Sequence, residues 1–294
     1  MDIKKLNNPI YKKLRDEKSV LWSFSRCSGY TECPYSYYLS KTRRDDSMDN
    51  VYNLSGSLAH DIMEKHYTEE PMTAKEMEET FSNGMLKILS DGYRFMSNKI
   101  EVSYLRNMRH YFATFETDTR IKECEKFVAL PLWKYDPTLK DQFFQGWCDS
   151  ILYNDDGTVS IGDFKTSTIF VGKDLIKKSK QLILYAVAYE YLYKTKVKSI
   201  FFDFMKYAEV SVNGKKKIVE RQELPFVTYD TNSLNKAYKF VELTDDIKKD
   251  AIDWLITTIK TIENDTVFDK GVGCGANNFA CKFICGFRNI CDKK

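Results

Sequence analysis

The sequence predicts an α/β fold: a sheet core flanked by helices, with a helical arm before it and a loop-rich, cysteine-bearing tail after it. Three observations lead there. Residues 1–120 carry apolar residues at helical spacing. Residues 126–210 then turn to runs dense in β-branched and aromatic side chains, the composition of strands. Between two of those runs lies "LIKKSKQLILYAVAYEYLYKT" (175–195), an amphipathic helix pattern, and a strand–helix–strand order calls for at least one parallel crossover. We expect one domain over 1–294: a mainly helical arm (1–120), an α/β core (121–230), and a helix with the cysteine-rich tail (231–294).

In the arm, "SGSLAHDIMEKHYTE" (55–69) sets Leu58, Ile62 and Met63 on one side, with serines suited to capping its start. Segments 73–96 and 100–123 continue the helical reading. Four strand-like runs follow at 126–135, 142–154, 158–167 and 198–210. "VNG" at 212–214 has the residues of a tight hairpin turn. Segment 233–264 reads as one or two further helices.

Composition narrows the class. The first residues contain no apolar run like a signal peptide, and no window is long and apolar enough to span a membrane. The expected location is therefore the cytoplasm, of a bacterium, an archaeon or a phage-infected host. Thiols stay reduced there, so clustered cysteines point to metal rather than disulfides. A net charge of +3, from 45 basic and 42 acidic residues, does not announce a nucleic-acid binder by itself. The densest basic runs, "KDLIKKSK" (173–180) and "NGKKKIVER" (213–221), also suit a solvated helix face and a hairpin tip.

One acidic constellation stands out in "GWCDSILYNDDGTVSIGDFKTS" (146–167). If Asp155, Asp156 and Gly157 form a three-residue loop with Gly157 left-handed, Asn154 pairs with Thr158. Asp149 then falls opposite Asp163 on one face of the sheet, with Lys165 two residues along. A two-residue turn would put the carboxylates on opposite faces; the three-residue loop is preferred because it gathers the charged groups. Adjacent carboxylates repel unless a cation lies between them. Hard oxygen ligands beside a lysine suit Mg²⁺ or Mn²⁺ and phosphoryl chemistry. A polar strand pair at a sheet edge is the plain alternative.

These residues resemble the core of the PD-(D/E)XK nucleases, in which an Asp on one strand precedes a D-x-K on the next. Asp149 matches the first acid, Asp163 the second, and Lys165 the lysine; Thr166 continues the "D-[FY]-K-T" form of the RecB-like branch. "GSLAHDIME" (56–64) resembles that branch's G-x-x-x-H-x-x-x-E motif, whose His is a metal ligand, and so singles out His60, with Glu64 one turn on. His66 lacks the match and reads as an ordinary core or surface residue. "QLILY" (181–185) resembles the Q-x-x-x-Y motif, which implicates Gln181 and Tyr185 in supporting the site or touching DNA. The resemblance covers residues 56–185 in the family's order. It implies a restriction-endonuclease-like mixed sheet and a metal held by His60, Asp149 and Asp163.

The tail, "GCGANNFACKFICGFRNICDKK", resembles the iron–sulfur branch of the same nucleases, which includes the AddB nuclease domain and a CRISPR-associated exonuclease. That branch carries one early cysteine in an aromatic "CP" segment and three late ones. "YTECPYSYYL" (30–39) supplies Cys33; Cys281, Cys285 and Cys291 supply the trio. The family spacing is C-x2-C-x5-C, whereas this chain has C-x3-C-x5-C, and Cys274 is an available substitute for Cys281. The resemblance implies a [4Fe–4S] cluster with a structural role, tying the N-terminal helices to the tail; a Zn²⁺ site local to the tail is the alternative. Cys27, Cys124 and Cys148 read as small hydrophobes.

The implied function is metal-dependent hydrolysis of DNA, on single strands as an exonuclease, in replication, recombination, repair or CRISPR-related processing. With no P-loop in the chain, any helicase is a separate protein. The rival expectation is an inactive DNA-binding or scaffold subunit that keeps the fold and its iron–sulfur or zinc centre.

Overall fold

The computed structural model describes residues 6–230, 236–275 and 277–291. The arm holds α1 (Pro9–Asp16), a short β1 (Val20–Trp22), α2 (Phe24–Glu32), α3 (Pro34–Thr42), α4 (Val51–Thr68), α5 (Ala74–Ser90) and α6 (Asn98–Ala113). The long helices start where side chains satisfy their free amides: Asn50 caps α4, Thr73 and Glu76 form a reciprocal capping box on α5, and Ser97 caps α6. The core follows with β2 (Ile121–Pro131), β3 (Gln142–Tyr153), β4 (Val159–Lys165), α7 (Lys173–Lys178), α8 (Lys180–Tyr193) and β5 (Val197–Phe204). A hairpin of β6 (Tyr207–Val212) and β7 (Lys215–Glu220) precedes β8 (Tyr238–Glu242) and α9 (Asp245–Asn264).

The main sheet runs β1-β3-β4-β5-β8, with β2 on β3. β1–β3 and β4–β5 are parallel and the other pairs antiparallel. This is the mixed sheet with flanking helices that the sequence predicts. On one side α8 and α9 close a large apolar core around Ile161, Ile200, Leu184 and Leu255. On the other, α4, α5 and α6 pack Met63, Met77, Phe81 and Phe112 against Phe164 and Met205. No helix among the described residues is long and apolar enough to cross a membrane.

Five local expectations change. The helix read from residue 55 begins at Val51 under the Asn50 cap, so the serines expected to cap it lie inside it. The helix expected over 175–195 breaks at Ser179, and every residue from Leu182 to Tyr189 is buried, so α8 is enclosed rather than amphipathic. The run 198–210 divides after Phe204: β5 stays in the main sheet and β6 joins β7 in a separate two-stranded sheet. The helix expected to 123 stops at Ala113, and β2 begins at Ile121. Segment 238–242, expected to be helical, is the edge strand β8, because "YKFVE" also fits a pleat and pairs with β5. Residues 233–235 of that expected helix lie outside the described residues. The "VNG" turn does close a hairpin, with Asn213 and Gly214 both at positive φ.

The pairing of β3 shapes the site. Phe144 pairs with β1 and with β2; Ile151 pairs with β2 and with β4. A strand has two edges, so β1 and β4 share the edge opposite β2, at different heights. The β3–β4 ladder stops at Ser150↔Gly162 and β1 takes over only at Phe144. Between these points the sheet parts, and Asp149 stands at the fork.

Candidate functional site

The "NDDG" loop takes the three-residue form. Gly157 sits at φ 78°, Asn154 N donates to Thr158 O at 2.9 Å, and the register runs Tyr153↔Val159 to Ser150↔Gly162. One more step brings Asp149 level with Asp163, where the strands separate. Phe164 N donates to Asp149 Oδ2 at 3.3 Å across that step. Asp163 is buried, and the Lys165 ammonium straddles its carboxylate at 2.9 Å and 2.7 Å.

His60 comes from α4, on the opposite wall. Its Nε2 lies 2.6 Å from the Phe164 carbonyl, which can only accept, so the proton is on Nε2. Its Nδ1 then faces Asp149 Oδ2 at 3.2 Å. Two acceptors at that distance call for a proton or a cation between them. A metal-binding imidazole has this arrangement, with the far nitrogen anchored to a carbonyl and the near one turned to the acids.

Burial, then the Asp163 and Glu125 carboxylates, push the Asp149 carboxyl up to about 7, against the pull of His60 and Lys165. For Lys165, burial alone would lower the ammonium, but the charge and hydrogen bond of Asp163, with Asp149 beyond, raise it overall. In this arrangement Asp163 has Lys165 as its counter-ion. Among the described residues no three His, Cys, Asp or Glu side chains draw close enough to hold a metal ion. By type, one anchored imidazole and two carboxylates suit a hard divalent cation.

Gln181 and Tyr185 lie on α8 and are joined to each other, Gln181 Nε2 donating to Tyr185 OH at 3.1 Å. Burial raises the Tyr185 hydroxyl well above its ordinary range. Its ring lies flat against Gly146 of β3, where a Cβ would come within 2.4 Å of it. Gly146 is thus the residue that admits Tyr185 beneath the Asp149 strand. His66 is a core histidine: Met72 N donates to its Nδ1 at 3.1 Å, and Nε2 meets Thr117 Oγ1 at 2.9 Å.

Two neighbours escaped the sequence reading. Glu125 falls between the pairs Cys124↔Ser150 and Lys126↔Cys148, level with Asp149, and is left-handed at φ 50° in mid-strand. Extending the β2–β3 register would have found it. Asn50 caps α4 through its Oδ1, and its Nδ2 donates to Ile284 O at 2.9 Å. That second bond reaches into the tail and leaves no local signal.

The tail folds back onto the arm. Met48 N donates to Gly286 O at 2.8 Å, Tyr35 N to Asp269 O at 3.0 Å, and Tyr30 OH to Asp265 Oδ2 at 2.7 Å. Cys33 caps α3, and its sulfur accepts from Ser36 N and Gly271 N, each at 3.4 Å. Gly271 has to be glycine, since a Cβ would lie 1.8 Å from Glu32 O. Cys33, Cys274, Cys281, Cys285 and Cys291 line one cavity of about 480 Å³. Burial, together with hydrogen bonding to Cys281 and Cys33, pushes the Cys274 thiol up to about 12. Cys27 and Cys148 are fully buried in the main core and Cys124 is half-buried against the others, away from this cavity.

The solved structures include two that align with nearly the whole chain at low identity. One is SSO0001, 14% identical over 96% of this chain and 93% of its own, with a TM-score of 0.37. The other is a Eubacterium rectale protein provisionally named an exonuclease, 11% identical over 93% and 91%, with a TM-score of 0.44. Both likenesses are too distant to speak to activity. No curated protein matches the chain. The family model of the PD-(D/E)XK nuclease superfamily matches residues 21–292, from the start of the sheet to the last described cysteine, and the chain belongs to that superfamily.

Proposed function

We propose that the chain is a divalent-metal-dependent deoxyribonuclease centred on His60, Asp149, Asp163 and Lys165. The observation that carries this reading is the approach of His60 Nδ1 to Asp149 Oδ2 at 3.2 Å, beside the Asp163–Lys165 pair, where β3 and β4 part. A purely structural ion pair would not need an imidazole with its free nitrogen turned towards a partly buried acid. His60, Asp149 and Asp163 would hold Mg²⁺ or Mn²⁺. The bound ion would polarise the scissile phosphate and acidify the attacking water. Lys165 orients that water and offsets negative charge as the phosphorus is attacked. Gln181 and Tyr185 fix the height of β3, and with it the position of Asp149.

The finer reading rests on the family resemblance. It takes 1–294 as one cytoplasmic nuclease domain that degrades single-stranded DNA from an end, working beside a separate helicase or other DNA-processing protein. Cys33, Cys281, Cys285 and Cys291 would hold a [4Fe–4S] cluster, with Zn²⁺ as the alternative. Support for a thiolate-bound group comes from five thiols around one cavity and two amides donating to Cys33. The test is an anaerobic assay with Mn²⁺ on end-labelled single- and double-stranded DNA. Wild type is expected to shorten the single strand from its ends and Asp163→Ala to leave it intact. Equal cleavage by both proteins, or full activity in EDTA, overturns the assignment.

A further inference from the structure

We propose that a second cavity, lined by none of the nuclease residues, binds a nucleoside 5′-monophosphate, either free or as the phosphorylated end of a strand. The choice of a nucleotide over other aromatic anions rests on the nuclease reading; the anion-binding chemistry does not.

The cavity, about 600 Å³, opens between the loop after α6, the β6–β7 hairpin and β8. Lys236 enters it just before β8. Its ammonium lies 4.9 Å from the ring centre of Phe115 and 5.8 Å from that of Tyr238. The other cations at the rim have carboxylates. Arg120 holds Asp118 through Nε at 2.9 Å and Nη2 at 2.7 Å, and Lys216 holds Glu209 at 2.8 Å. Among the described residues, Lys236 has no carboxylate within ion-pair distance.

The acids whose charge reaches Lys236 are Asp203, Asp118 and Glu116. Asp118 is engaged by Arg120. Asp203 is buried, accepts from Tyr111 OH at 2.7 Å, and is raised by its burial. Glu116 is exposed to solvent. The buried Arg221 also lines the cavity, its guanidinium 4.9 Å from the Tyr111 ring centre.

Taking an ammonium out of water without a counter-ion costs free energy. Burial accordingly draws Lys236 down from its ordinary range. An anionic group against that ammonium would offset the cost, and a phosphate is the anion this chain's family handles. The rest of the cavity suits the base. Phe115 and Tyr238 flank the ammonium, and Phe240, 44% exposed, stands at the rim with its ring 6.0 Å from Tyr238. Such faces accept any base by stacking.

The experiment titrates deoxyadenosine 5′-monophosphate, deoxyadenosine, and 5′-phosphorylated and 5′-hydroxyl oligonucleotides into the full chain by calorimetry in EDTA. Circular dichroism checks that each variant is folded. Wild type and Asp163→Asn are expected to bind the monophosphate equally, one per chain. Lys236→Gln should bind roughly tenfold or more weakly, the range for losing a hydrogen bond to a charged group, and Lys236→Arg should recover most of the affinity. Deoxyadenosine should bind far more weakly than its monophosphate. Tighter binding of the phosphorylated oligonucleotide than of the free nucleotide assigns a strand end, and the reverse assigns a free nucleotide. No binding at millimolar nucleotide, equal binding by folded Lys236→Gln, or loss of binding in Asp163→Asn overturns the site. None of these measurements requires cleavage, so a chain that binds the nucleotide but never cuts DNA sinks the nuclease reading and leaves the cavity standing.

Discussion

The carboxylate fork and the thiol cavity are assembled by opposite means. Asp149, Asp163 and Lys165 lie on one hairpin, and a single left-handed glycine in its loop sets their alignment. Cys33 meets the tail across 238 residues, held by backbone contacts such as Gly271 N to Cys33 Sγ. Register is a local, nearly binary choice, since a one-residue slip turns every side chain to the other face. The meeting of chain ends is decided by packing, and nothing in either segment specifies it alone. The fork should therefore lose chemistry before stability when altered, and the thiol cavity should lose architecture first.

The largest effect should come from the fork. Lys165→Ala is expected to lower the cleavage rate by roughly a hundred- to a thousandfold, the range for removing one charge-stabilising donor. Its melting temperature should move little. A protein that melted early yet kept its specific activity would show that the Asp163–Lys165 pair is architectural, and would erase the contrast between the two regions.

Next comes the thiol cavity, on the proposed reading that it holds a [4Fe–4S] cluster. Cys33→Ser, Cys281→Ser, Cys285→Ser and Cys291→Ser, purified anaerobically, should each lose iron and labile sulfide, with proteolysis rising at both chain ends together. Cys274→Ser should keep most of its iron. If Cys274→Ser bleaches and Cys281→Ser does not, Cys274 is the ligand, as its contact with Cys33 and Cys281 allows. Stoichiometric zinc without iron selects the alternative centre.

Gly146→Ala sharpens the comparison from within the fork. The added methyl meets the Tyr185 ring at 2.4 Å, so β3 or α8 has to shift. We expect a stability loss of about 1–3 kcal/mol by chemical denaturation. Cleavage should fall by more than the unfolded fraction explains, because Asp149 moves with the strand.

The smallest and most discriminating change is at Asn50, which joins the two regions. Asn50→Asp keeps the oxygen that caps α4 but loses the amide that donates to Ile284 O. Asn50→Ala loses both and should cost about 1 kcal/mol more, the usual value of a cap. If the tail steadies His60 through this residue, Asn50→Asp should weaken Mn²⁺ binding several-fold with little loss of global stability. Unchanged Mn²⁺ affinity in Asn50→Asp would mean that the two regions are independent.

Much of the site was legible because its signals are short-range. "NDDG" allows a two- or a three-residue turn, and the three-residue form is preferred because it brings Asp149 and Asp163 to one face; the structure takes that form. His60 was found through a motif spacing on one helix, and α4 brings it to Asp149. Glu125 was missed because a left-handed glutamate in mid-strand has no sequence signature and matters only through its partner across the ladder. α8 was misjudged because its one lysine, Lys180, stands at its start, and the unbroken run Leu182–Tyr189, tyrosines included, has its second face covered by α9.

By itself, then, the sequence determined an α/β core flanked by helices and a hairpin that carries Asp149, Asp163 and Lys165, each from periodicity, turn chemistry or spacing within a few tens of residues; the mixed sheet and His60 came through the family resemblance. The tertiary structure alone decided that "YKFVE" is an edge strand, that five thiols share one cavity, and that Lys236, with no ion pair among the described residues, stands among aromatic rings. These depend on which distant surfaces bury one another. The free energy that selects such contacts is spread over the whole core, so no single segment of the chain records it.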